Sequence, residues 1–118
     1  MLRFLLPALL LLVATPAVAQ RLAPTPDLAT DPREIATYQD CLTEAERDPP
    51  QGFEDAMQWR DTTGSNAARH CVATALFYLG QPAAAAERLE ELGIGMKAAP
   101  TLVRARIFDQ AGTAWLAA

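Results

Sequence analysis

Residues 75–92 read ALFYLGQPAAAAERLEEL, and this stretch constrains the fold more than any other. Upstream of it, Ala68, Val72, Ala75, Leu76 and Leu79 recur at helical spacing. Gly80 suits the left-handed position that closes a helix, and Pro82 suits the first position of the next, where no amide hydrogen is needed. Beyond the corner, Ala85, Leu89 and Leu92 form an apolar stripe, and Glu87, Glu90 and Glu91 form a solvated side. Two helices therefore meet at a tight corner with only methyl-sized side chains just past it. Such a corner serves helices that lie very close together.

The rest of the chain carries similar signals. Asp31 is placed to cap a helix that has Pro32 at its first position and Glu34 where a capping-box acid belongs. Ile35, Tyr38, Leu42 and Ala45 share one face of that helix, and the Asp-Pro-Pro at 48–50 stops it. A second helix is expected over about 52–61, with Phe53, Ala56, Met57 and Arg60 on one side. Gly64 and Ser65 supply a stop and a new cap, and a third helix follows over 66–79. The fourth runs from Pro82 to about Leu92, where Gly-Ile-Gly is expected to break it. A fifth starts at Pro100 or Thr101 and continues to the chain end. No stretch alternates with the period of a strand for long enough to matter. The expectation is an all-α chain of five helices whose short connections favour antiparallel neighbours.

The pair 66–92 resembles a tetratricopeptide repeat, on the residues Ala73, Leu76, Leu79-Gly80, Ala85, Leu89 and Leu92. The resemblance implies close contact at Ala73 and Ala85, where small side chains let the two helices nest. Residues 106–118, RIFDQAGTAWLAA, look like the first helix of another unit, with Gly112 in the close-contact place and Trp115 in the large aromatic one. Residues 35–63 look like a degenerate preceding unit, with Ala45 opposite Ala56 and a proline corner instead of a glycine one. The implied architecture is a short right-handed solenoid of helix pairs over 31–118. In that family the first helix of each pair lines a concave surface that holds peptides or partner helices. Carried over by position, that surface holds His70, Thr74, Phe77 and Tyr78, followed by Arg106, Asp109 and Thr113. Internal packing is the competing role for Phe77. For Trp59 and Trp115, seam packing competes with ligand stacking and is the simpler reading.

Residues 1–19 read as a secretory leader: Arg3, an apolar run from Phe4 to Ala14, Pro16, then Ala17-Val18-Ala19 as the cleavage site. The alternative is an uncleaved membrane anchor, but the run is short for a span and carries Pro7. Gln20, and not a cysteine, directly follows the cleavage site, which disfavours a lipoprotein anchor. Residues 20–30, QRLAPTPDLAT, have two prolines and no sustained periodicity, and read as an extended, flexible linker. The whole chain carries a formal charge of −4, which becomes more negative when Arg3 leaves with the leader. A mildly acidic surface argues against nucleic acid and anionic membranes as partners. Membrane contact is expected only transiently, through the leader. Export to the periplasm or beyond places Cys41 and Cys71 in an oxidising compartment, so a disulfide between them is expected. Two independent buried thiols are the alternative.

Catalytic signals are weak. His70 is the only histidine; as neighbours on a helix, it and Cys71 point about 100° apart and make a poor dyad. Cys41 and Cys71 form neither a C-x-x-C redox pair nor a haem-attachment motif, and with His70 they match no recognised zinc spacing. No phosphate-cradling loop or nucleophile elbow is present. Glu44, Glu46 and Asp48 read as a solvated face. The expectation is thus a binding scaffold without catalytic residues, metal or cofactor, its partner an unidentified protein or peptide. A structural element that self-associates through its C-terminal helix is the first alternative. A thiol-redox protein is the second.

Overall fold

The computed structural model of the chain describes Leu22 and residues 28–118. The expected leader lies outside the described residues. Five helices follow in order: α1 (Pro32–Arg47), α2 (Pro49–Thr63), α3 (Asn66–Tyr78), α4 (Pro82–Gly95) and α5 (Thr101–Ala117). The fold is all-α, with no strand among the described residues.

Local chemistry sets the helix ends. Asp31 accepts hydrogen bonds from the backbone amides of Arg33 and Glu34 at 2.9 and 3.2 Å, starting α1. Ser65 accepts from the amide of Ala68 at 3.1 Å, starting α3. Gly64, at φ 64°, ends α2 in the left-handed region. At the end of α3, Gly80 has φ 78°. The Gln81 amide donates to the Leu76 carbonyl at 3.0 Å, and the Gly80 amide to that of Phe77 at 3.1 Å. These two bonds make a Schellman motif, which satisfies carbonyls that the helix end leaves open.

Two boundaries differ from expectation. Helix α2 starts at Pro49, because Asp48 ends α1 and begins α2 at once. Its amide donates to the Glu44 carbonyl at 2.8 Å, while its side chain accepts from the Gln51 amide at 3.4 Å. Two consecutive prolines are tolerated there, since the first amides of a helix have no partner inside it. Helix α4 continues through Gly-Ile-Gly to Gly95. Gly93 is buried, and a Cβ placed on it would lie 2.7 Å from the Phe108 ring of α5. Glycine at 93 therefore admits the aromatic ring against the helix and does not interrupt it.

The close contacts follow from the corners. A one-residue joint leaves α1 and α2 no room to diverge near Asp48, and they are in close contact one turn away. A Cβ on Gly52 would lie 2.6 Å from Ala45 Cα and 2.7 Å from Ala45 N, both backbone atoms. Gly52, which the sequence reading did not single out, is thus the close-contact glycine. Gly112, which it did, has open space where its Cβ would be. Ala45, Ala56, Ala73 and Ala85 are all fully buried, as expected.

Helix α1 packs on α2 and α3, α2 on α3, α3 on α4, and α4 on α5. The main core joins Val72, Leu76, Leu89, Leu92, Met96, Val103 and Ile107 with the small residues between them. Cys41 and Cys71 form a disulfide, with an S–S distance of 2.03 Å and Cα atoms 6.3 Å apart. It ties α1 to α3 across a separation of 30 residues, worth roughly 3–4 kcal/mol on the chain-entropy account. Part of the stretch read as linker also packs. Leu22 belongs to the main core, and Ala29 is buried with Tyr38 and Ala67.

The two glycines predict opposite outcomes. Gly52→Ala drives a methyl into backbone and lowers stability by about 1–3 kcal/mol. Gly112→Ala meets nothing and raises it by up to about 1 kcal/mol through helix propensity. Chemical denaturation of the two variants beside the parent measures both.

Candidate functional site

Helix α3 is nearly surrounded: Ala67, Ala68 and every residue from His70 to Leu76 are buried. Its only formal charge is Arg69, which is exposed. A histidine facing into such a helix's surroundings must be neutral and hydrogen-bonded, because an isolated buried charge is very costly. His70 satisfies both demands. Its Nδ1 lies 2.6 Å from the Tyr38 hydroxyl on α1, and its Nε2 lies 2.5 Å from Oε1 of Gln110 on α5. A carbonyl oxygen can only accept, so Nε2 carries the hydrogen. In the neutral ring Nδ1 is then the acceptor, and the Tyr38 hydroxyl donates to it. Burial pushes the His70 pKa down to about 4, with the Gln110 hydrogen bond opposing the shift.

This chain of bonds joins α1, α3 and α5. The disulfide runs beside it, since Cys41 lies one turn along α1 from Tyr38 and Cys71 directly follows His70. The Tyr38 ring stands edge-on to the imidazole at a centroid distance of 5.7 Å, and 6.4 Å from Trp59. The Thr74 hydroxyl donates to the His70 carbonyl at 3.0 Å.

The outer side of this arrangement is a groove of about 340 Å³ between α1 and α3. Helix α1 lines it with Ile35, Tyr38, Gln39, Leu42, Thr43 and Glu46, a stripe along one face of the helix. Helix α3 contributes Thr74 and Tyr78, and Leu22 completes the lining. Aliphatic and aromatic surface is thus bordered by amide, hydroxyl and carboxylate groups. A second groove, of about 330 Å³, is lined by Arg60, Asp61, Arg69, Val72, Arg88, Glu91 and Leu92. There Arg60 pairs with Asp61 at 2.9 Å and Arg88 with Glu91 at 3.6 Å. Those charges compensate one another locally.

The expected surface residues divide into three groups. Thr74 and Tyr78 do line the α1–α3 groove. His70 does not reach the surface: it is fully buried, and holds Tyr38 from behind. Phe77 is half-buried against the core, with its ring edge-on to Tyr78 at 5.6 Å. Arg106 and Asp109 are exposed and Thr113 half-buried on α5, and none of them lines this groove. Between them sits Gln110, which the sequence reading missed and which bonds His70. The α1 lining was missed as well, because groove positions were carried over only from the later helix pairs. The spacing of Ile35, Tyr38 and Leu42 was the available signal. Trp115 is partly exposed, and its indole N–H donates to Glu90 on α4 at 2.7 Å. Among the described residues, no group of three or more His, Cys, Asp or Glu side chains is placed to hold a metal ion. Nor is any helix there long and apolar enough to cross a membrane. The disulfide is compatible with an oxidising compartment outside the cytoplasm.

Comparison with protein-family models, with curated proteins and with solved structures found no match to this chain.

The buried imidazole sets a pH dependence. Its folded-state pKa, about 4, lies below the ordinary value of 6.5, so between the two the unfolded chain binds the extra proton. Stability from this group is complete above about pH 6.5 and is lost as pH falls toward 4. The expected loss is roughly 3 kcal/mol between neutral pH and pH 4. Denaturation midpoints across that range, compared with those of His70→Gln, isolate the contribution: the variant is weaker at neutral pH and its profile is shallower. Tyr38→Phe keeps the ring but strands Nδ1, and is expected to cost about 1–3 kcal/mol at neutral pH.

Proposed function

We propose that this protein is an exported helical-repeat scaffold of the tetratricopeptide kind, performing no catalysis of its own, whose α1–α3 groove holds a segment of another protein. The observation that carries the reading is the groove: an apolar trough bordered by polar side chains, backed by a bonded imidazole and a disulfide. Rigid walls favour binding, because less order has to be imposed when a partner arrives. Tyrosine is well suited to such a wall, giving a large contact area and a hydroxyl with few rotatable bonds. The packing of α1 against both α2 and α3 is compatible with a stack of helix pairs, as are the small residues buried near two corners. For a thiol-redox role the bridge offers only Cys41, which is partly exposed, since Cys71 is fully buried.

Self-association has one specific observation in its favour. Leu102 and Leu116 on α5 are 63% and 84% exposed, with Phe108 and Trp115 partly exposed on the same helix. Sedimentation over a wide concentration range tests this: a mass that rises with concentration and falls back in Leu116→Glu supports it, and a constant monomer mass excludes it.

The scaffold reading predicts that Thr43→Arg and Tyr78→Ala, which alter the groove from opposite walls, deplete the same partner in affinity capture from the exported fraction. Circular dichroism should show both variants still helical. Recovery equal to the parent's in both folded variants contradicts the reading.

A further inference from the structure

Leu22 lies ten residues before the start of α1, in a stretch that has no helical period and carries Pro24 and Pro26. A leucine in such a stretch is ordinarily exposed, since nothing local can cover it. Here it is only 7% exposed and forms part of the α1–α3 groove with Ile35, Tyr38, Leu42 and Tyr78. The helical domain itself supplies the cover, through the surface assigned above to a partner.

We propose that Leu22, as one part of the groove's lining, is an intramolecular stand-in for the aliphatic anchor of a partner segment, and that full engagement of the groove requires its displacement. The inference rests on the scaffold reading and adds what the groove takes: a leucine-sized side chain carried on an extended, proline-bearing segment. Prolines on either side of Thr25 exclude a helical partner of the same sequence type. The lining agrees with this chemistry, with aliphatic and aromatic groups for the anchor and Gln39, Thr43 and Thr74 for the backbone beside it. Glu46 adds a carboxylate to the lining. A tethered anchor competes at millimolar effective concentration, so a weak one suffices to keep its own part of the groove covered. Only a segment with further contacts, or one held at high local concentration, displaces it.

The test uses the chain recovered after export, with its intact mass establishing that Leu22 is retained. The probe is a fluorescein-labelled synthetic peptide of residues 20–30, QRLAPTPDLAT. It is expected to bind the Leu22→Ala protein about tenfold or more tightly than the parent. Adding Thr43→Arg to Leu22→Ala, or changing the peptide's first leucine, the counterpart of Leu22, to alanine, should abolish that gain. In the parent, nuclear Overhauser contacts should link the Leu22 methyls to the rings of Tyr38 and Tyr78. Equal affinity for the parent and Leu22→Ala overturns the inference, as does the absence of those contacts. If that equal binding still disappears with Thr43→Arg, the groove itself stands as a binding site. Failure of the scaffold reading is separate, since it shows as partner recovery indifferent to Thr43→Arg and Tyr78→Ala.

Discussion

A neutral imidazole sealed inside a helical stack needs a donor on one side and an acceptor on the other, and the position of α1 and α5 around α3 answers that need. His70 accepts a hydrogen bond from Tyr38 and donates one to Gln110, so one side chain on the central helix fixes a residue on each of two others. The disulfide one residue along closes the same α1–α3 seam covalently. The bond and the bridge act differently. The bridge narrows the unfolded ensemble, whereas the buried bonds penalise any packing that leaves a polar atom unpaired. Together they select one register of α1 on α3. The groove depends on that register, because the Tyr38 ring that forms its wall is held from behind by the imidazole.

Close packing elsewhere is governed by how soon two helices must meet after a corner. One residue joins α1 to α2, and only glycine at 52 lets the backbones approach at Ala45. The α3–α4 corner has three residues, and there buried alanines suffice. At the α4–α5 contact a glycine has a different use, admitting the outer edge of a phenylalanine ring.

Much of this was legible in the chain, and the physical reason is locality. Asp31, Ser65, Gly64 and Gly80 announce helix ends through bonds and dihedral angles made within a few residues, so the ends of α1 and α3 could be read directly. The start of α2 was obscured because Asp-Pro-Pro is equally good chemistry for stopping one helix and starting the next. The end of α4 was misplaced because a buried glycine under an aromatic ring looks, in sequence, like a breaker. Gly52 and Gly112 were exchanged in importance for a related reason: which glycine faces a neighbour depends on rotation about the helix axis, which the sequence sets only through distant packing. His70 was read as a surface residue by positional resemblance. The fact that α3 carries a single formal charge, on Arg69, was the better guide, since a helix without a polar face is covered on all sides. The lining from α1 was visible as a stripe on one face and was not read as a groove wall, although a stripe that wide can serve both the core and a groove.

The central claim is that His70 is a neutral Nε2–H imidazole bonded at both nitrogens and tying three helices together. Nitrogen-15 correlation spectra of the His70 ring, recorded from about pH 5 to about pH 8, test it most directly. The account predicts one tautomer throughout, with the hydrogen on Nε2, a lone pair on Nδ1, and no titration in that range. A ring that titrates near its ordinary value, or that carries its hydrogen on Nδ1, contradicts it.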